Sequence, residues 1–199
     1  MTFLVKRNKP LNAAAELVRF LFDMISMALF HVSVKLWEVT KHFDTAERLC
    51  RRRLIAKPED YLAHYYLARS LRHQQKYNDA VEVARRIVGL RHSRFFMDWV
   101  DFLYTLHAAG RYQEVIAQSE LAFAKLSNTT QPLDRTLADV FRESLHRVVG
   151  SSYLAMSQYR EALPHLEAVC ARLPHLADDP AHEMLRTCKC ALNDEGSTT

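Results

Sequence analysis

The amino-acid sequence predicts an all-α protein, and its composition supports that prediction in three ways. Only 4 of the 199 residues are glycine and 6 are proline, compared with average usage of ~7% and ~5%. Isoleucine occurs only at Ile25, Ile55, Ile87 and Ile116, whereas leucine, alanine, arginine and glutamate are frequent. Because these frequent residues favour helices and β-branched residues favour strands, the composition indicates helix throughout the chain.

The scarcity of glycine excludes several classes of enzyme. The four glycines, Gly89, Gly110, Gly150 and Gly196, lie far apart, whereas phosphate-binding loops need closely spaced glycines. A nucleophile elbow of the G-x-S-x-G type is excluded for the same reason. Since the serines, histidines and carboxylates also lack the spacing of a catalytic group, we expect no enzymatic activity.

Charge and cysteine content narrow the choice of partners and cofactors. The net charge is +4, which is mildly basic compared with a dedicated nucleic-acid-binding domain, so no nucleic acid is expected as a partner. There is no C-x-x-C or H-x-x-x-H pair, and His182, Cys188 and Cys190 would diverge around a helix, so we expect no metal and no cofactor. The four cysteines lack the spacing of a disulfide framework and no secretory signal is recognisable, which favours a cytoplasmic protein.

A short phrase with a central aromatic residue occurs four times. The aromatic residues, which we call anchors, are Phe43, Tyr77, Tyr112 and Tyr159, at intervals of 34, 35 and 47 residues. At three further positions, each at a fixed distance from the anchor, the four phrases carry similar residues; we call each such set of four a column. Six residues before the anchors are Trp37, Leu71, Leu106 and Tyr153; nine before are Val34, Ala68, Leu103 and Gly150; three after are Ala46, Ala80, Val115 and Ala162.

These columns resemble the tetratricopeptide repeat (TPR) family, whose repeat is a helix–turn–helix of 34 residues. The resemblance covers residues 27–60, 61–94, 96–129 and 143–176. It implies a right-handed α-solenoid of about four TPR-like helical hairpins, in which the aromatic anchor closes the turn and a small residue lies where the two helices cross. Gly110 is expected in such a turn and Gly150 at such a crossing, and Pro58 and Pro174 are expected to end second helices.

We expect capping helices on both sides of the repeats at 27–176. Residues 1–26 are predicted to form an N-terminal apolar capping helix, residues 177–192 a C-terminal capping helix opened by Pro180, and residues 193–199 a disordered tail. The segment 127–132 is predicted as a loop, followed by a long helix over 133–156 with Asp134 as its N-cap. Pro164 lies in the second helix of the fourth repeat, either late in its first turn or at a kink.

The N-terminal helix needs to be covered on most of its sides. Its polar residues form a single helical stripe, made of Asn12, Glu16, Arg19, Asp23 and Ser26, and nearly all its other residues are apolar. Three kinds of cover remain open: the first repeat, a second copy in a homo-oligomer, and peripheral contact with a membrane helped by Lys6, Arg7 and Lys9. The candidate contact residues for the last two are Phe20, Phe22, Met24 and Ile25. A transmembrane span is disfavoured because Arg19, Asp23, His31 and Lys35 interrupt the segment.

The resemblance also implies a binding surface, because the first helices of TPR hairpins line a concave groove that receives a peptide. The predicted groove residues are His31, Lys35, Tyr65, Arg69, Arg72, Tyr104, His107, Arg147 and Ser151, with Glu38 as the nearest acidic neighbour. Arginine forks favour carboxylates and tyrosines provide contact area, so this set predicts an acidic partner segment. The alternative is an ordinary solvated helix face, as we also expect for Arg48, Arg51, Arg52 and Arg53.

Two functions from different classes follow from these features. The first is a non-catalytic adaptor or scaffold for protein–protein interaction that binds an acidic segment of another protein in a basic, aromatic groove. The alternative is a structural assembly factor that self-associates or docks at a membrane surface through its apolar N-terminal helix. In that case the protein is cytoplasmic and peripheral to a membrane.

Overall fold

The computed structural model describes residues 11–90, 96–127, 132–172 and 178–197, and these consist of helices and the turns between them. The helices are α1 Leu11–Val39, α2 Phe43–Ala56, α3 Tyr61–His73, α4 Tyr77–Gly89, α5 Phe96–Ala108, α6 Tyr112–Ser127, α7 Pro132–Ala155, α8 Tyr159–Arg172 and α9 Pro180–Ser197. Each helix packs against the next one along the chain, and α1 also contacts α3, α5 contacts α7 and α7 contacts α9. The result is an all-α solenoid of four hairpins, α1–α2, α3–α4, α5–α6 and α7–α8, followed by α9.

All four hairpins turn in the same way. The residue two positions before each aromatic anchor has a left-handed backbone, with φ of 61° at Lys41, 60° at Gln75, 73° at Gly110 and 58° at Ser157. The next backbone N–H then donates to the carbonyl five residues earlier, as from His42 to Trp37 at 2.8 Å and from Lys76 to Leu71 at 2.9 Å. This is the Schellman ending of a helix. The second helix of each hairpin consequently begins at the anchor itself.

The columns of the repeat form the core of the hairpins. The residues nine before the anchors are buried, and so are the four residues three positions after them. Gly150 lies where α7 crosses α8, because a Cβ atom there would lie 3.0 Å from Leu166 Cδ2 and 3.2 Å from His165 Cβ. The crossing is therefore closer than a larger side chain allows, as the repeat columns predict.

The buried apolar residues form one large cluster and smaller ones at both ends. The large cluster joins α3 to α7 through residues such as Leu103, Leu106 and Val148, and a second joins α1, α2 and α3 around Leu71. At the C-terminal end, α9 packs on α8 and its buried Cys188 thiol donates to the Tyr159 carbonyl at 2.9 Å. This helix thus covers the last hairpin.

Some boundaries differ from the expected ones. Residues 193–197, expected as part of a disordered tail, belong to α9, which Asp179 caps by accepting from the Ala181 N–H at 2.8 Å. Helix α7 begins at Pro132, so Asp134 lies in its first turn and is not the N-cap. Pro164 is the sixth residue of α8, which continues as one helix through it. Pro174, most of the predicted loop (128–131) and residues 198–199 lie outside the described residues.

The N-terminal segment is not a separate capping helix. Helix α1 runs without a break across the expected boundary at residues 26 and 27, and it is the first helix of the first hairpin. Residues 16–25 are exposed, so this part of α1 buries little surface against the first repeat. Lys6, Arg7 and Lys9 lie outside the described residues.

Two histidines meet between α7 and α8 in the fourth hairpin. His146 Nδ1 and His165 Nδ1 are 3.0 Å apart, so one ring donates to the other. Burial lowers the pKa of both rings, and each is lowered further by a neighbouring cation or by the other ring. Since two protonated rings cannot share this hydrogen bond, the hairpin is built around at least one neutral imidazole.

We predict that Gly150→Val lowers the free energy of unfolding by about 1–3 kcal/mol, because the added side chain has to displace Leu166 and His165. Gly89→Val is the matched control, since no atom lies within 4 Å of a Cβ at Gly89, and its effect should stay within about 0.5 kcal/mol. Urea unfolding followed by circular dichroism measures both. A Gly150→Val protein as stable as the wild type would contradict the close crossing.

We also predict that stability falls as the pH is lowered from 7.5 to 5.5. The folded pKa of both histidines is below the unfolded value of about 6.5, so the unfolded chain binds more protons and the stabilisation is lost as the pH falls below that value. His165→Asn keeps an amide donor but does not titrate, so its urea midpoint should change less with pH. The control is His42→Asn, which replaces an exposed histidine. Its urea midpoint should change with pH as much as that of the wild type. An equally steep fall in His165→Asn would refute this role of the pair.

Candidate functional site

Two residues of the polar stripe of α1, Asp23 and Ser26, contact the solenoid, and the apolar side of the helix faces solvent. Asp23 Oδ1 lies 2.7 Å from Lys57 Nζ at the end of α2, and Ser26 Oγ accepts from Arg53 Nη1 at 3.5 Å. The Lys57 ammonium lowers the pKa of Asp23 through this hydrogen bond and its charge. These two contacts therefore fix the rotation of α1 with Asp23 and Ser26 facing α2.

The opposite side of α1 exposes an unusual amount of apolar surface. The predicted contact residues are all exposed, with Phe20 at 59%, Phe22 at 72%, Met24 at 45% and Ile25 at 58%. Other exposed apolar residues of the helix are Leu17, Val18, Leu21, Met27, Leu29, Val32, Leu36 and Val39. A contiguous surface of this kind marks an interaction site on a folded protein.

The C-terminal part of α1 is held in the first hairpin. Val34 is fully buried, and Phe30 and Trp37 pack on the cluster formed by α2 and α3. The Arg53 guanidinium lies 4.6 Å from the centre of the Phe30 ring. Its Nε also lies 2.6 Å from Oδ2 of the largely buried Asp60 carboxylate. The C-terminal part of α1 is therefore fixed to the first hairpin, and it holds the exposed apolar side of the helix in one orientation.

By length and composition alone, α1 is long and apolar enough to cross a membrane between Glu16 and Val39. That segment contains Asp23, which contacts Lys57, and Val34 and Glu38, which are buried against the solenoid. The part of α1 beyond the contact with Asp23 comprises residues 11–22, about 18 Å of helix. This is well short of a hydrocarbon core of about 30 Å.

The predicted groove residues lie along the first helices of the hairpins, but each has a partner within the chain. On α1 and α3, Glu38 lies between Lys35 Nζ at 3.4 Å and Arg69 Nε at 3.2 Å, with only 6% of its side chain exposed. His31 Nδ1 is hydrogen-bonded to the Tyr66 hydroxyl at 2.5 Å. Burial raises the pKa of Tyr66 to about 12, so its hydroxyl stays protonated.

The same pattern joins α3 to α5. Arg72 Nη1 lies 3.6 Å from Asp101 Oδ1 and donates to Thr105 Oγ1 at 3.4 Å. One turn earlier on α5, the buried Asp98 accepts a hydrogen bond from the Tyr61 hydroxyl at 2.6 Å. Burial raises the pKa of both aspartates, although the neighbouring donors oppose that effect. Arg72 is therefore part of the contact between two hairpins.

Arg147 connects α7 to the start of α9. Its guanidinium donates two hydrogen bonds to the Asp179 carboxylate, at 2.5 and 3.1 Å, and a third to Glu143 at 3.2 Å. The hydrogen bond from Arg147 lowers the pKa of Asp179, the residue that caps α9. Arg147 thus holds the C-terminal helix in place.

The remaining predicted groove residues also have neighbours in the chain. His107 Nδ1 is hydrogen-bonded to Ser152 Oγ at 2.9 Å, which ties α5 to α7, and the Ser151 hydroxyl donates to the Arg147 carbonyl at 2.8 Å. Tyr65 is half-buried beside the Tyr66 ring, and burial raises the pKa of the Tyr104 hydroxyl. The acidic partners Asp101 and Asp179 were not found from the sequence, because they lie about 30 residues from the cations they bind.

One part of this surface keeps an excess of positive charge. A cleft of about 570 Å³ opens between the end of α1, the start of α2 and α3, lined by Lys35, Glu38, Val39, Lys41, Phe43, Arg69 and His73. We call it the cation cleft. It contains three cationic side chains and a single carboxylate, that of Glu38. The His73 ring stacks on Phe43 at 4.3 Å, and its pKa is lowered by burial and by Arg69 and Arg72.

Three of the four arginines of α2 pair with carboxylates of the same chain. Arg48 pairs with Asp44 at 3.3 Å and Arg51 with Glu47 at 2.8 Å, each one turn away on the same helix. Arg53 is largely buried against Asp60. Helical pairs of this kind are typical of a solvated surface.

In the parts of the chain that the structure describes, there is no group of three or more histidine, cysteine, aspartate or glutamate side chains able to hold a metal ion. Burial raises the pKa of the Cys50 thiol to about 12, so this cysteine is unreactive at neutral pH. Cys170 and Cys188 are also buried, and burial raises the pKa of both thiols.

Comparison with known proteins agrees with the repeat architecture. The family described as subunit 3 of the anaphase-promoting complex, or cyclosome, matches residues 39–120. No curated protein gives a significant match. Among solved structures, MamA from Desulfovibrio magneticus RS-1, from residue 41 to its end, is 15% identical over 84% of this chain and 91% of its own, with a TM-score of 0.56.

Two mutant forms of MamA give similar results. An RS-1 MamA double mutant is 17% identical over 85% of this chain and 96% of its own, with a TM-score of 0.56. Another MamA mutant is 22% identical over 70% of this chain and 73% of its own, with a TM-score of 0.53. At these identities the likeness concerns the fold. Together with the four repeated turns and their buried columns, it shows that the chain is a protein of the tetratricopeptide-repeat fold.

Proposed function

We propose that this protein is a non-catalytic scaffold that joins a larger assembly through the exposed apolar surface of α1. The fold is one used for protein–protein interaction. Among the described residues, exposed apolar side chains are most concentrated on α1. The observation that carries the proposal is the direction of the helix, whose polar stripe contacts Lys57 and Arg53 while its apolar side faces solvent. Leaving that side in water is unfavourable by about 25 cal/mol per Å² of apolar surface.

The cation cleft supports a second role for the same scaffold, the binding of an acidic segment of a partner protein. Its three cations exceed its one carboxylate, because Lys35 and Arg69 share Glu38, whereas Arg72 and Arg147 each pair with a different aspartate. We therefore place the acidic-peptide site at Lys35 and Arg69 of the predicted groove, together with Lys41, which was not among the predicted residues, beside the anchored end of α1.

The role of α1 predicts that the wild-type chain elutes above its monomer mass of 23.1 kDa, or floats with vesicles of phosphatidylcholine and phosphatidylserine. Changing Phe20, Phe22, Met24 and Ile25 to glutamine should abolish both, because glutamine keeps helix propensity but removes apolar surface. Light scattering after gel filtration, and vesicle flotation, measure the effect.

The control is Ile55→Gln combined with Leu121→Gln, which removes exposed apolar side chains from α2 and α6. This protein should behave like the wild type. A wild-type chain that is monomeric and also fails to bind vesicles would refute the proposed role of α1.

The cation cleft predicts binding of a labelled oligoglutamate peptide that weakens as salt is added. Lys35→Glu combined with Lys41→Glu should reduce the affinity at least about tenfold, which corresponds to about 1.4 kcal/mol. Arg48→Glu changes an exposed arginine on α2 outside the cleft and should leave the affinity unchanged. Fluorescence anisotropy measures the three affinities, and equal losses in both variants would contradict a specific site.

A further inference from the structure

The exposed apolar residues of α1 include a regular row. Starting at Val18, apolar side chains follow one another at intervals of four, three, four, three, four and three residues. They are Val18, Phe22, Ile25, Leu29, Val32, Leu36 and Val39, and each is between 57% and 80% exposed. We call this row the outer seam.

The spacing of the outer seam is that of a coiled coil. Apolar residues that alternate by three and four repeat every 3.5 residues, which keeps them on one line as two helices wrap around each other. The row continues for 22 residues, just over three heptads, and this length is enough to distinguish a coiled-coil seam from chance. From Leu29 to Val39 every exposed large apolar residue of α1 lies in the row, whereas before Leu29 the apolar face is wider and also includes residues outside it: Leu17, Phe20, Leu21, Met24 and Met27.

The solenoid occupies the side of α1 opposite the outer seam. Val34 falls in the heptad position farthest from the seam, and it is fully buried against α2 and α3. Asp23 and Phe30, on the same side of the helix, contact Lys57 and Arg53. The seam therefore points directly away from the body of the protein, where a second helix can reach it.

The positions that flank the seam allow another helix to approach. Ala28, Ser26 and Ser33 are small, and the Ser33 hydroxyl already donates to the Leu29 carbonyl at 2.8 Å, so it brings no unsatisfied polar group to a contact. The charged residues Arg19 and Lys35 flank the seam but do not lie in it. A dry contact along the seam would thus bury no charge.

A second helix fits this surface better than a lipid bilayer does. Lipid covers apolar surface without regard to period, whereas the seam keeps its three-four spacing to Leu36 and Val39. At that end it runs beside Lys35 and the exposed Lys41, and a bilayer covering it would also have to take up those ammonium groups. A paired helix touches only the seam and leaves both lysines in water.

We infer that a second copy of this chain covers the outer seam, so that two α1 helices pair as a short coiled coil with their solenoids on opposite sides. This inference rests on the proposed role of α1 in assembly and names the partner. Both copies contribute the same row, which makes the contact self-complementary as a two-fold dimer requires. The solenoids stay outside the contact, and among the residues that line the cation cleft only Val39 belongs to the seam.

The test compares lysine at the seam with lysine beside it. Ile25 and Leu17 are both 58% exposed on α1, but only Ile25 lies in the seam. In sedimentation equilibrium of the full chain without lipid, we expect the wild type to associate to a multiple of 23.1 kDa. Ile25→Lys should weaken association at least about tenfold, because two charges would be buried in the contact, whereas Leu17→Lys should leave it unchanged. Val32→Lys repeats the seam substitution nearer the body, and far-UV circular dichroism checks that each variant is folded.

The other outcomes separate this inference from the proposal on which it rests. Equal loss of association in Ile25→Lys and Leu17→Lys would overturn the seam while leaving α1 as the assembly surface. A wild-type monomer that floats with phosphatidylserine vesicles, with flotation lost equally in both variants, would overturn the second copy and assign the surface to a membrane. A wild-type monomer that binds no vesicles would overturn the inference and the proposed function together.

Discussion

One left-handed residue in each hairpin determines how the rest of the chain is arranged. At Lys41, Gln75, Gly110 and Ser157 the backbone reverses with a positive φ, and the following N–H returns to a carbonyl of the helix just completed. Outside glycine this conformation is unfavourable by about 1 kcal/mol, so it has to be stabilised by the bonds and packing around it. Beside two of these turns the aromatic anchor packs on a histidine: Tyr112 lies against His107 of its own hairpin, and Phe43 stacks on His73 at the end of α3. The turn sets where the second helix begins, and thus which faces of the first helices meet along the solenoid.

Polar side chains then join one hairpin to the next. Arg69 reaches Glu38, Arg72 reaches Asp101 and Arg147 reaches Asp179, so that cations on one first helix meet carboxylates on or near a neighbouring one. Groups that look available for a ligand in the sequence are largely engaged in holding the stack together. The cation cleft is different because its lining includes three cations, Lys35, Lys41 and Arg69, and one carboxylate, that of Glu38. It lies next to the end of α1 that the first hairpin holds.

Most of the fold could be predicted from the sequence, and the parts that could not have physical reasons. The anchors, the alanines after them and the close crossing at Gly150 follow from residue size, which the sequence displays directly. A positive φ is common for glycine but not for lysine, glutamine or serine. Of the four left-handed positions, only Gly110 could therefore be predicted from the sequence. The carboxylates opposite the groove arginines depend on how neighbouring hairpins are aligned, which no local pattern reveals. In α1 the sequence predicts a polar stripe, but that pattern shows only that the other faces need cover. It does not show that the stripe faces inward, which depends on Lys57 and Arg53 in another helix.

The proposed function depends on the outer seam of α1, which faces solvent while the C-terminal part of the helix is fixed in the first hairpin. The most direct measurement is hydrogen exchange of the α1 amides, followed by mass spectrometry over a range of protein concentrations. If two copies pair along the seam, the amides of residues 18–29 become more protected as concentration rises, while those of α3 to α8 do not change. Protection of α1 that is independent of concentration would contradict the pairing.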